Sequence, residues 1–270
     1  MNYRPVAVCA LALAAAAASN AAPPSPEAAV VALVQRHAEQ LGEGDLAAAA
    51  ATCRAAISSG AMGRFSPVAE SLLGADILAA GQTDDAAKAL SKLLIQDSVN
   101  ADPVSRAADT HARRWLSRID REKVVAALKA YYADHVEYPS TLEPFRQLRP
   151  APPLRDRWGD PWAYKLANFK LLKGVKAQRY TLESRSMARG SDLRRALESR
   201  PASALPKDWT VARGGGDSVS VIVTTPSGER TVIREGSAHA GIRFVALAGQ
   251  HALFSSGDNW FVAPLAKGGR

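Results

Sequence analysis

Asp156-Arg157-Trp158-Gly159-Asp160-Pro161-Trp162-Ala163-Tyr164 is the stretch on which the reading of this chain turns. Gly159 and Pro161 force a bend, because glycine accepts backbone angles other residues avoid and proline fixes its own. Beyond the bend, Trp162 and Tyr164 alternate as strand residues do. Three large aromatic side chains this close need an apolar surface to cover, and the residues upstream supply one. From about Val104 to His135 apolar positions recur at helical spacing: Trp115, Leu116 and Ile119 form one patch, and Val124, Ala127, Leu128 and Tyr131 continue it. Asp120 is expected to break this run into two helices. Tyr138-Pro139 leaves the helix, since proline restricts the residue before it, and a loop with Pro150, Pro152 and Pro153 follows. Tyr180-Thr181-Leu182-Glu183-Ser184 reads as the next strand. The expectation is a small curled sheet clamped on a helix, with Trp158, Trp162 and Tyr164 over Leu128 and Tyr131. Asp156 and Asp160 have two readings: loop caps that accept backbone N–H groups, or a pair of acids or metal ligands.

This order of residues resembles the C-terminal domain of the major pseudopilin of type II secretion systems. In that family a long helix ends in a Tyr-Pro turn, an Asp-Pro-Trp-Gly-x-Pro-Tyr-x-Tyr segment leads into a small antiparallel sheet, and the next strand reads Tyr-x-Leu-x-Ser. Here Tyr138 and Pro139 match the turn. Asp156, Trp158, Gly159, Pro161, Trp162 and Tyr164 match the middle segment, with Arg157 in place of proline and Trp162 in place of tyrosine. Tyr180, Leu182 and Ser184 match the strand. The resemblance covers roughly residues 119–187. It departs from the family upstream, where a very hydrophobic filament-forming helix is replaced by an amphipathic one carrying Arg113, Arg114, Arg118 and Arg121. The family's calcium loop follows the last strand; this chain has Arg185-Ser186-Met187-Ala188-Arg189-Gly190-Ser191-Asp192 there, keeping only one acid. A hard cation needs six or more oxygens, so neither calcium nor any other cofactor is expected.

The first third reads as paired helices. Ser25-Pro26-Glu27 is a capped helix start, and Val30, Val31, Leu33, Val34 and Leu41 form one face up to about Gly42. Asp45 caps a second helix through Ile57, Ser66-Pro67 opens a third, and Thr83 caps a fourth carrying Ala86, Ala87, Leu90, Leu93 and Leu94. Gly44 and Gly81 occupy the same place in two successive hairpins, offset by close to the ~34-residue period of a tetratricopeptide repeat. With Gly74, Ala86 and Leu90 in the second hairpin and Ala49 and Cys53 in the first, the pair resembles that family, which implies a concave groove for a peptide or partner helix. An alanine-rich bundle without a groove is the other reading. Before these helices, Arg4, the apolar run Val6–Ala18 and Ser19-Asn20-Ala21 read as a cleaved secretory signal over residues 1–21. The run is shorter than the ~20 residues that span a bilayer. Cleavage would leave Cys53 as the one cysteine, expected as a small buried residue on a helix and not a reactive thiol.

Residues 188–217 read as a linker, with Pro201, Pro206 and Gly214-Gly215-Gly216. From Val219 the period becomes two, and five short strands are expected: Val219–Thr224, Thr231–Arg234, Ile242–Ala248, His251–Ser255 and Trp260–Ala263. They suggest a small sandwich or barrel. Arg234-Glu235-Gly236 with Gly241-Ile242 is similar to the periplasmic β domain of inner-membrane clamp proteins in type II secretion and type IV pilus machines.

The sequence therefore predicts a multidomain α+β chain: helical hairpins over 22–118, a pseudopilin-like helix and sheet over 119–187, a linker over 188–217, and a small all-β domain over 218–266. The formal charge is +8, but the basic residues are scattered, so nucleic acid is not an expected partner. The five histidines lie far apart and none has zinc-ligand spacing. No Gly-x-Ser-x-Gly is present, and Gly214-Gly215-Gly216 lacks the Lys-Ser/Thr of a phosphate loop. The expected function is non-enzymatic: a periplasmic accessory protein of a secretion or pilus-like system, bound to other envelope proteins and with a peripheral contact to the inner membrane left open. A general envelope scaffold and a hydrolase using Asp156, Asp160 and Glu183 are the alternatives.

Overall fold

The computed structural model describes residues 24–96, 100–170, 176–200, 208–215 and 217–266. The expected signal segment over 1–21 lies outside them. The chain combines helices with several antiparallel sheets, an α+β fold.

Local chemistry sets the helix starts. Ser25 Oγ accepts the Ala28 N–H and Pro26 occupies the first turn of α1 (Pro26–Gly42). Asp45 caps α2 (Leu46–Ser59) through the Ala48 N–H, and Gly60 closes it in the left-handed region at φ +65°. Helix α3 (Ser66–Ala79) starts at Ser66-Pro67. Helix α4 (Thr83–Ser91) differs from the expectation: Gln82, not Thr83, is the cap residue, and the helix stops before Leu93 and Leu94. Gly74 makes the α3–α4 approach possible, since a Cβ there would lie 2.6 Å from Leu90 Cδ2.

Helix α5 (Pro103–His135) is capped by Asp102, whose carboxylate accepts the Val104 and Ser105 N–H groups. Its 33 residues span ~50 Å at 1.5 Å each. The expected break at Asp120 does not occur. Asp120 is buried, and its carboxylate contacts the Arg157 guanidinium at 2.5 Å, so the helix continues through a charge that another part of the chain neutralises. The expected domain boundary at 118/119 therefore falls inside one continuous helix. The N-terminal half of α5 packs with α1–α4 through Val104, Ala108, Ala112, Trp115, Leu116 and Ile119. The C-terminal half carries a second core, Val124, Val125 and Leu128 with Phe145, Trp162 and Leu182. There the ribbon of β1 (Ala163–Lys170) and β2 (Lys176–Glu183) lies antiparallel, Tyr164 opposite Leu182 and Leu166 opposite Tyr180.

The 188–217 segment is not simply a linker. A 3-10 turn (Arg185–Gly190) and α6 (Leu193–Glu198) occupy it, and Ala196 and Arg200 are buried. Strand β3 (Thr210–Arg213) then pairs with β4 (Ser220–Thr224), which pairs with β5 (Arg230–Arg234). A second sheet runs β6 (Ala238–His239), β7 (Ile242–Ala248), β8 (His251–Ser256), β9 (Asn259–Pro264) in order. Val211, Val221, Val223 and Ile233 of the first sheet meet Phe244, Phe254, Phe261 and Ala263 of the second in one core, a sandwich.

The four-stranded sheet is buried on its other face as well. Val245, Ala246, Ala248, Leu253 and Trp260 belong to the helical core, and a bulge between Phe244 and Ala246 sets Val245 and Ala246 on that side together. The expected separate all-β domain over 218–266 thus begins earlier, at β3, and forms the middle and outer layers of a three-layer body whose first layer is helical.

Candidate functional site

The bend that opened the sequence reading is a closed hydrogen-bonded loop. Asp156 Oδ1 accepts the Trp158 and Asp160 N–H groups, each at 3.0 Å, and its Oδ2 accepts the Ser184 hydroxyl at 2.5 Å. Gly159 sits at φ +88°, where a side chain would be strained, and Pro161 bridges to Arg155. Ser184 is anchored in turn, its N–H donating to Ser191 Oγ. Trp162 donates its ring N–H to the Pro153 carbonyl at 2.8 Å, and the Tyr164 hydroxyl donates to the Pro139 carbonyl at 2.7 Å. Burial, with Tyr180 and Tyr138 beside it, pushes the Tyr164 hydroxyl up to about 12. Tyr138 packs edge-on against Tyr180 at 4.8 Å and tilts on Tyr132 at 4.6 Å.

Trp158 departs from the expected arrangement. Only Trp162 and Tyr164 join the core of Leu128 and Tyr131. Trp158, half-buried, borders a shallow recess with Asp109, Arg113 and Arg243 beside the N-terminal half of α5. Arg157 directs it there: its N–H donates to Ser117 Oγ at 3.0 Å and its carbonyl accepts from Arg113 at 2.5 Å. The three carboxylates of the hydrolase alternative do not share one environment either. Both Asp156 oxygens are engaged within the loop, while Asp160 and Glu183 are exposed.

At the end of this helix–ribbon unit lies an open groove of about 650 Å³, bordered by Tyr132, His135, Val136, Asn168 and Phe169. Val136 is 72% exposed and Phe169 44%. Val136 ends α5 in the left-handed region, at φ 59°, an unusual conformation for a β-branched residue.

A second constellation has no motif in the sequence. His37 on α1, Cys53 on α2 and Asp76 on α3 converge in the helical layer with Arg200. Asp76 accepts from His37 Nε2 at 3.0 Å and from Arg200 Nη2 at 2.6 Å, and Cys53 Sγ lies 3.8 Å from Asp76 Oδ2. Cys53 is buried, as expected, but against a carboxylate and not in purely apolar surroundings. Burial first, then the Asp76 charge, push its thiol pKa up, which keeps it protonated. Nearby, Asp258 in the β8–β9 turn accepts from Arg114 at 2.8 Å and Arg118 at 2.6 Å, while its backbone carbonyl accepts from His111 at 2.7 Å. These residues are far apart in the chain, and only the layered packing brings them together. A buried ionisable residue on an otherwise apolar helical face, as at Asp76, was the one available signal.

Comparison with family models, with curated proteins and with solved structures finds no match to this chain.

Proposed function

We propose that this chain is a non-enzymatic binding and assembly protein of a bacterial envelope, exported to the periplasm and serving a type II secretion or type IV pilus-like system. On this reading α5 with the β1–β2 ribbon is a pseudopilin-like head, the α1–α4 pairs are tetratricopeptide-like, and the C-terminal strands are the counterpart of a clamp protein's periplasmic module. The observation that carries it is the ordered set Tyr138, Pro139, Asp156, Trp162, Tyr164, Tyr180 and Ser184. It builds one helix–ribbon unit whose free end presents Tyr132, Val136 and Phe169 to solvent. Exposed aromatic and apolar side chains grouped around a concavity are what a partner's surface would cover.

A photo-crosslinking side chain at Phe169, in the full chain expressed in an envelope-bearing host, tests this. The expected product is a crosslink to a secretion or pilus component, lost when Val136→Asp is introduced. Recovery of no such component, with the protein folded and exported, refutes the reading.

A further inference from the structure

His37, Cys53 and Asp76 each offer one ligand atom, and these atoms all lie within 4.8 Å of one another. All three side chains are buried, Cys53 completely, and each stands on a different helix, so the packing of α1, α2 and α3 holds the triangle. Donors bound at about 2.0–2.3 Å around a tetrahedral ion sit about 3.3–3.8 Å apart. The observed separations from Asp76 Oδ2, 3.0 Å to His37 Nε2 and 3.8 Å to Cys53 Sγ, approach that spacing within a few tenths of an ångström.

Arg200 completes the arrangement. Its Nη2 takes Asp76 Oδ1 at 2.6 Å while Nη1 donates to the Ala75 carbonyl at 3.0 Å. That leaves Oδ2 facing the cysteine and fixes the carboxylate, as outer partners of metal ligands do. A cavity of about 40 Å³, bordered by His37, Leu72, Arg200 and Trp260 on the His37 side of the cluster, has room for one water.

We propose that His37, Cys53 and Asp76 form a zinc(II) site, with Arg200 as a positioning residue. One soft sulfur, one imidazole and one carboxylate suit a borderline ion and are too few oxygens for calcium or magnesium. Binding requires the His37 tautomer with its proton on Nδ1 and breaks the hydrogen bond from Nε2 to Asp76; it forms bonds from the metal to sulfur, nitrogen and oxygen and releases the Cys53 proton to solvent, and no electron moves. Because the thiol must lose its proton to bind, uptake strengthens as pH rises. The inference is independent of the proposed envelope role.

Cobalt(II), added alone to the reduced full-length protein, is the probe. The expected result is one equivalent bound with thiolate-to-cobalt charge-transfer absorption, displaced by zinc and absent in Cys53→Ala. Arg200→Lys should weaken zinc binding by about 10- to 100-fold, the usual effect of losing an outer partner. Zinc should raise the melting temperature of the parent protein and leave Cys53→Ala unmoved. If Cys53→Ala does not fold, Cys53→Ser gives the same spectroscopic comparison. Lack of the charge-transfer band in the folded parent, or its persistence without the Cys53 sulfur, overturns the proposal.

Discussion

His111 should set how this protein responds to mild acid. Its ring is 2% exposed and lies between Trp115 and Trp260, with both ring centroids 6.2 Å away. Nε2 donates to the Asp258 carbonyl, and Nδ1 has no hydrogen-bond partner among the described residues. Burial dominates, and Arg200 and Arg118 add to it; the Asp258 carboxylate and carbonyl oppose it. The pKa falls from 6.5 to about 4. The folded value lies below the unfolded one, so as pH drops the unfolded chain takes up the proton first. Stability is complete above about pH 6.5, declines through the interval, and levels off below about 4. At about 1.4 kcal/mol per unit, the interval removes about 3 kcal/mol, a large part of the 5–15 kcal/mol typical of a folded protein.

Urea unfolding followed by tryptophan fluorescence, repeated at steps across this interval, measures the slope. His111→Gln provides the control, because its amide can still donate to the Asp258 carbonyl and cannot take up a proton. The variant should be less stable at neutral pH, yet its stability should fall with acid by about one proton less than the parent's. The other four histidines are common to both proteins and cancel. Asp258, whose carboxyl is held below its usual value by Arg118 and Arg114 against the opposing effect of burial, loses its contribution only at lower pH, outside this window. Equal slopes for parent and variant would show that His111 is already protonated or accessible in the fold, and the argument from burial would be wrong.

Other substitutions separate the structural roles. Trp162→Ala should cost about 3–5 kcal/mol, and the loss should be local: hydrogen exchange accelerates in β1 and β2 while β7–β9 stay protected, because the ribbon has its own core. Asp156→Ala should lower stability by about 2–3 kcal/mol by leaving two amides without their acceptor, whereas the exposed Asp160→Ala should change it by under about 0.5 kcal/mol; equal losses in chemical denaturation would refute the loop account. Gly74→Ala should cost about 1–3 kcal/mol through collision with Leu90, and Leu90→Val should restore part of it in a double-mutant cycle.

Much of the fold could be read where local chemistry acts alone. Ser25-Pro26, Asp45 and Ser66-Pro67 start helices because capping depends on the next few residues. Ile242–Ala248 and His251–Ser256 are bounded by the turns Gly249-Gln250 and Gly257-Asp258-Asn259, so their bounds are nearly correct from sequence. Apart from the bounds of α4, the misreadings share one cause, which is distance along the chain. Asp120 looks like a helix break until Arg157 neutralises it. Leu193–Glu198 and Thr210–Arg213 sit among prolines and glycines and are too short to show a period. They take shape because the helical layer and β4 offer surfaces to them. Trp158 follows Arg157, whose partners lie on α5. The His37–Cys53–Asp76 cluster depends on three helices meeting, which no local spacing encodes.

The same long-range charges explain why three expected units fold into connected layers. The helical layer is rich in alanine, with Ala49, Ala50, Ala69, Ala75, Ala107, Ala108 and Ala112 all buried. Such surfaces are smooth, and one shifted register would bury nearly as much area as another. Buried ion pairs add little net stability, since desolvation offsets their attraction, but each is satisfied in one alignment only. Arg200–Asp76 ties the segment after α6 to α3, Arg118–Asp258 ties α5 to the β8–β9 turn, and Arg157–Asp120 ties the bend to α5. Apolar burial drives the layers together, and these pairs select the register. The C-terminal end of α5 lies beyond Arg118–Asp258 and Arg157–Asp120 and rests on its separate aromatic core, so there the register is set by the fit of large aromatic side chains and not by buried charge.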